Sequence, residues 1–128
     1  MRRSLRLLLD SEPDIEVVGE SSELATATRQ VSKLDPDVLV LDLRMPDGSG
    51  FDIVGRLRDE APRTRIVVIT MYDDQVFVRH AHQAGALGFV LKDTADAELP
   101  EAVRHAARGR TYTSPRVTPH VVPLRKLC

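Results

Sequence analysis

Short apolar runs separated by longer stretches of mixed polarity organise this chain. Four runs rich in Val, Leu, Ile and Phe fall at 16–19, 38–41, 66–69 and 88–91. Each is nearly continuous rather than alternating, the pattern of strands covered on both faces within a parallel sheet. Between them the apolar positions take helical spacing. Leu24, Ala27, Val31 and Leu34 predict an amphipathic helix over 22–34, ended by Asp35-Pro36. Ile53, Val54 and Leu57 predict another over 51–60. Val76, Phe77, Ala81 and Ala84 predict a third, begun by Asp73-Asp74 and stopped at Gly85; Leu99, Ala102, Val103 and Ala106 predict a fourth, ending at Gly109. This alternation predicts an open, doubly wound parallel α/β sheet with right-handed crossovers.

The two ends break the pattern. Residues 1–9 carry Leu5, Leu8 and Leu9 as an apolar face and read as a helix, yet no strand precedes it, and Arg2 and Arg3 put positive charge where a helix N-terminus disfavours it. The helix is expected to start earlier than the sequence does. Prolines at 115, 119 and 123 exclude a continuous helix after Gly109, so 111–128 is expected to be an extended, mobile tail or linker beyond a domain spanning 1–110.

Composition narrows the function classes. With 128 residues and 42% hydrophobic content the chain fits one domain with one core. The 18 Lys+Arg and 19 Asp+Glu nearly cancel to a net charge of -1, so no global field draws the chain to nucleic acid or anionic lipid. A single cysteine, Cys128, cannot form an intrachain disulfide. No apolar run approaches the ~18 residues of a membrane helix, and no signal-peptide pattern opens the chain, which makes a cytoplasmic location the expectation.

Ligands of open α/β sheets bind at the carboxyl ends of the strands. Three polar residues sit there: Asp42 after 38–41, Thr70 after 66–69 and Lys92 after 88–91. A carboxylate, a hydroxyl and an ammonium on one rim suit a phosphoryl group, with Asp42 as nucleophile, Thr70 as hydrogen-bond donor and Lys92 as partner of a phosphate oxygen. Taken singly, a strand-end Asp also serves as a cap or loop residue, and a Lys after a buried strand as a solvated end.

The context of these residues, VLVLDLRMPDGSGFDIV, VVITMYDD and GALGFVLKD, resembles the receiver domain of two-component response regulators, most closely the NarL/FixJ type whose receiver precedes a LuxR-type helix-turn-helix. The resemblance covers about 1–115 and implies a flavodoxin-like (CheY-like) fold. It implies that Asp42 accepts a phosphoryl group from a phosphohistidine of a sensor histidine kinase, and that Lys92 binds the phosphate. It implies that Thr70 and Phe89 form a switch pair whose movement alters a face around 73–108, through which a second copy could pair. Arg44 would lend its backbone carbonyl to Mg²⁺, and Arg44 and Tyr72 would tune dephosphorylation. Phe89 also reads as an ordinary core aromatic.

One departure stands out. The acidic pair that holds Mg²⁺ with the phosphoacceptor in this family has no counterpart here, because Met1 onward matches the middle of the family's first helix. The first strand and the pair are therefore expected to lie before the sequence, with Mg²⁺ binding weak or lost. Asp73-Asp74 opens a helix, and Asp10 would lie on the opposite rim. The tail after Pro115 has neither the length nor the periodicity of a DNA-reading module, so DNA contact is expected only through a further domain. Three functions stay open: a phosphoaccepting receiver; a pseudo-receiver that binds proteins without taking phosphate; and an α/β phosphatase or hydrolase using Asp42, against which Arg44 stands where a second carboxylate is needed. His80, His82, His105 and His120 lack metal-ligand spacing and read as surface residues. Arg104, Arg108 and Arg110 read as a solvated helix face rather than a DNA stripe.

Overall fold

The computed structural model describes residues 2–21, 24–42, 50–71 and 75–114. In chain order the elements are α1 (Arg2–Asp10), α2 (Leu24–Leu34), β1 (Val38–Asp42), α3 (Gly50–Glu60), β2 (Arg65–Thr70), α4 (Gln75–Ala84), β3 (Gly88–Leu91), a 3₁₀ turn (Lys92–Thr94), α5 (Ala95–Ala107) and β4 (Tyr112–Thr113). The four strands form one parallel sheet in the order β1-β2-β3-β4.

Strand alternation sorts the core into two layers. Leu39, Leu41, Ile66, Val68, Phe89 and Leu91 face Val31 of α2, Val54 and Leu57 of α3, and Val78 and Ala81 of α4. Val38, Val40, Val67, Ile69 and Val90 face Leu9 of α1 and Leu99, Ala102, Val103 and Ala106 of α5. β2 and β3 are covered on both sides, which explains why their sequences are continuously apolar; Ile66 to Thr70 and Gly88 to Leu91 are all buried. Helix ends follow the signals in the sequence. After α4, Gly85 takes φ 121°, and the Ala86 amide closes back on the Ala81 carbonyl at 3.0 Å. α5 ends before Gly109, at φ 73°.

Two expectations are corrected. The run 16–19 is not a strand. It is extended chain outside the sheet, with Ile15 and Val17 packed against the α1/α5 layer while Val18 is 50% exposed. A strand needs a neighbour for its N–H and C=O groups, and among the described residues none pairs with this segment in the sheet. β1 is consequently an edge of the described sheet and only partly buried despite its VLVL sequence. The second correction concerns the segment after α5. Residues 111–114 are extended, as expected, but not a loose tail: Tyr112 and Thr113 pair with Gly88 and Phe89, and Ser114 is 2% exposed. The rest of the tail, 115–128, lies outside the described residues.

Candidate functional site at the carboxyl rim of the sheet

The strand register carries the three candidate side chains to one rim. Asp42 lies opposite Ile69, so Thr70 stands one step further along β2; Thr70 lies opposite Leu91, so Lys92 follows one step further past β3. Parity then separates them. Asp42 continues the Val38, Val40 series and Lys92 continues from Val90, so both belong to the α1/α5 side of the sheet. β1 and β3 are two strand spacings apart, about 10 Å, and a side chain of lysine's length is needed to cross β2. Lys92 Nζ reaches Asp42 Oδ1 at 3.4 Å. Both side chains are about a quarter exposed, 23% and 27%, so the pair sits in a partly desolvated notch with access from outside.

Thr70 continues the Ile66, Val68 series on the other side and is fully buried, as is Phe89, the register partner of Val68. The expected switch pair therefore shares one face of adjacent strands. The Phe89 ring lies inside the α2–α4 layer, so its role as core aromatic is established by packing alone.

Arg44, Tyr72 and the pair Asp73-Asp74 lie outside the described residues. Of the two expected Mg²⁺ donors only Asp42 is therefore described, and its Oδ1 faces an ammonium. Among the described residues no group of three or more His, Cys, Asp or Glu could hold a metal ion. Octahedral Mg²⁺ demands more oxygen donors than one lysine-paired carboxylate supplies. The described residues do not fit this cation, and no chemistry is derived through it.

The structure adds groups that sequence reasoning missed. The Ser114 hydroxyl accepts the Leu91 N–H at 2.9 Å and donates to Glu98 Oε1 at 2.7 Å. Tyr112 donates its hydroxyl to the same oxygen at 3.1 Å. Burial, reinforced by the Glu98 carboxylate, pushes the Tyr112 phenol up to about 12. The Tyr112 ring meets His105 edge-on, with centroids 5.5 Å apart. His82 is not a simple surface residue either. Its Nδ1–H donates to the Ala86 carbonyl at 2.8 Å, and Nε2 faces the Thr113 hydroxyl at 3.4 Å. The alternation of Tyr112 and Ser114 after the Gly109 stop is the only sequence signal for this strand, and nothing in it points to Glu98.

Arg104 is engaged rather than solvated. It donates to both oxygens of Asp14 at 2.8 and 3.0 Å, to Glu101 at 3.0 Å and to Glu12, pinning α5 to the turn after α1. These hydrogen bonds raise its guanidinium above the usual range, and the Arg104 hydrogen bond lowers Asp14. Arg104 thus directs its donors to carboxylates of this chain. No helix among the described residues is long and apolar enough to cross a membrane.

Comparison with known proteins agrees with this geometry. Residues 1–104 match the response regulator receiver domain family. The chain is 37% identical over 123 residues to the oxygen regulatory protein NreC of Staphylococcus carnosus, covering 95% of this chain and 57% of that protein. It thus spans little more than half the length of the curated relatives it matches. A two-component response regulator of the LuxR family from Aurantimonas sp. SI85-9A1 superposes with a TM-score of 0.82 at 32% identity, over 91% of this chain and 83% of that one. The signal receiver domain of the response regulator NarL from Mycobacterium tuberculosis superposes with a TM-score of 0.76 at 35% identity, over 85% and 88%. The parallel sheet wrapped by helices is the flavodoxin-like fold of these receivers. With Asp42, Thr70 and Lys92 at its carboxyl rim, this chain belongs to the response regulator receiver domain family.

Proposed function

We propose that this chain is a phosphoaccepting receiver module, taking a phosphoryl group on Asp42 from the phosphohistidine of a sensor histidine kinase. A carboxylate oxygen attacks phosphorus, a P–O bond forms as the P–N bond breaks, and the released imidazole keeps its electron pair and takes up a proton. Asp42 becomes an acyl phosphate. The observation that carries the reading is the 3.4 Å approach of Lys92 Nζ to Asp42 Oδ1 at the rim. An ammonium placed there offsets the charge of the incoming phosphoryl oxygens without blocking the notch. Thr70, buried one step along β2 on the other face of the sheet, turns its hydroxyl toward the same group once Asp42 is phosphorylated, and Phe89, on the Thr70 face, follows that movement. Arg44 and Tyr72 tune the lifetime of the acyl phosphate.

Charge building on the transferring oxygens calls for a divalent cation, and among the described residues Asp42 is the carboxylate beside Lys92 that would help to hold it. Output goes through the face around 73–108, by pairing with a second copy and, in a cytoplasmic regulator of transcription, through DNA contacts made by a further domain. A pseudo-receiver that binds proteins without taking phosphate is the second reading, favoured by the Lys92 ammonium that already pairs with Asp42 Oδ1. Incubating the chain with a small-molecule phosphodonor in Mg²⁺ buffer and weighing it intact separates the two. A gain of one phosphoryl group that Asp42→Asn abolishes supports the receiver; no gain supports the pseudo-receiver. Steady turnover of a phosphate ester would point instead to a hydrolase.

A further inference from the structure

Hydrogen bonds around Ser114 join β4 and α5 to Leu91, the residue before Lys92 of the candidate site. β4 ends at Thr113, opposite Phe89, so the β3–β4 ladder runs out two residues before β3 does: the Ser114 amide donates to the Phe89 carbonyl at 2.9 Å, and the next group on β3, the Leu91 N–H, is taken by the Ser114 hydroxyl instead of a backbone carbonyl. Leu91 is buried, and Lys92 follows it directly, opening the 3₁₀ turn that leads into α5. The backbone is thus pinned at the residue before the one that must reach Asp42. Glu98 fixes the other end, since its Oε1 accepts from Ser114 and from Tyr112 together. With its proton committed to Glu98, the Ser114 oxygen is oriented to receive Leu91. Thr113 adds a tie to α4 through His82.

We propose that Ser114, oriented by Glu98, is a positioning residue for phosphoryl transfer: it holds the Leu91 backbone so that Lys92 reaches Asp42, and it thereby couples the chain leaving α5 to the acceptor rim. This rests on the reading of Asp42 as phosphoacceptor and Lys92 as its partner. The coupling follows from the geometry. Any movement that lifts 112–114 off β3 strips the Leu91 N–H of its acceptor and frees the turn that carries Lys92.

The test uses the full 128-residue chain with Ser114→Ala, Ser114→Thr and Glu98→Ala. In single-turnover labelling with a small-molecule phosphodonor, Ser114→Ala lowers the limiting rate about fivefold while the donor concentration for half-maximal rate stays constant, since one hydrogen bond's worth of positioning is lost. Ser114→Thr, which keeps the hydroxyl, restores the rate; Glu98→Ala behaves like Ser114→Ala. A fall in unfolding midpoint with an unchanged limiting rate, or a rate loss that threonine does not rescue, overturns the proposal. A second readout is independent of labelling. The Cε resonance of Lys92 in ¹³C-lysine spectra moves when Asp42 becomes Asn, and the proposal requires that movement to shrink in the Ser114→Ala background. Equal movement in both backgrounds overturns the positioning role. Absence of labelling in the unsubstituted chain, with the resonance result as expected, overturns the phosphoacceptor reading and leaves Ser114's hold on Lys92 standing.

Discussion

Gly88→Ala tests whether the site rests on close packing between β2 and β3. Gly88 opens β3 opposite Val67, and a Cβ built there meets Val67 Cγ2 at 2.8 Å, Cγ1 at 3.0 Å and Cβ at 3.2 Å. Contacts that short force one partner to move. Val67 is fully buried against the α1/α5 layer and, being β-branched, is stiff at χ1. Turning it off its rotamer costs about 0.5–1.5 kcal/mol, and overpacking of a filled core about 1–3 kcal/mol. Removing glycine's freedom in the unfolded chain returns about 0.4–1 kcal/mol. The expected net loss is about 1–2 kcal/mol, a substantial part of a domain stability of about 5–15 kcal/mol. Urea unfolding followed by circular dichroism measures it as a lower midpoint with unchanged slope. A cycle with Val67→Ala sharpens the test. That substitution alone costs about 2 kcal/mol in lost methyl burial, but in the double variant the new Cβ enters the vacated space, so the two losses fall short of their sum by about 1 kcal/mol. Additive losses, or a stabilised Gly88→Ala, would refute the steric argument.

Phe89→Ala removes a fully buried ring and is expected to cost about 3–5 kcal/mol, whereas Phe89→Leu stays folded, so the switch role is best tested with leucine and the two compared by thermal unfolding. Tyr112 has its folded pKa raised, to about 12 against an ordinary 10, so the native state holds this proton more tightly. Its contribution to stability is complete below about pH 10 and is lost as pH rises through about 12. Tyr112→Phe should therefore flatten the fall in unfolding midpoint between pH 9.5 and 11.5, roughly the window those values define; an unchanged slope would show the phenol to be unperturbed. Arg104→Ala should lower stability at low salt and less so at high salt, because its partners Asp14 and Glu101 are solvent-exposed; a salt-independent loss would place the effect in packing of the arginine stem.

The parts of this fold that sequence made legible are those where one physical rule acts alone. Ile66 to Thr70 and Gly88 to Leu91 are covered on both faces, so an unbroken apolar run sufficed to mark them. Gly85 and Gly109 stop helices because only positive φ closes those turns cheaply, and that too is local. The meeting of Asp42 and Lys92 was legible because both end strands whose alternate residues share a face. Residues 16–19 misled because hydrophobicity does not reveal whether a strand will find a neighbour; Ile15 and Val17 found burial against the α1/α5 layer instead. The Ser114–Glu98–Tyr112 cluster was illegible for a different reason. Its hydrogen bonds join residues 14 to 23 positions apart through polar side chains that read as linker, and only the chain's return alongside β3 brings them together.

In the proposed function Asp42 accepts phosphate with Lys92 at its side. Intact mass measurement of the chain after exposure to a phosphodonor, alongside Asp42→Asn and Lys92→Met, addresses it most directly. One added phosphoryl group is expected in the unsubstituted chain, none in Asp42→Asn, and a rate roughly tenfold lower in Lys92→Met, of the order expected for losing a charge-assisted contact. Phosphoryl uptake that persists in Asp42→Asn, or that proceeds equally fast without the Lys92 ammonium, would contradict it.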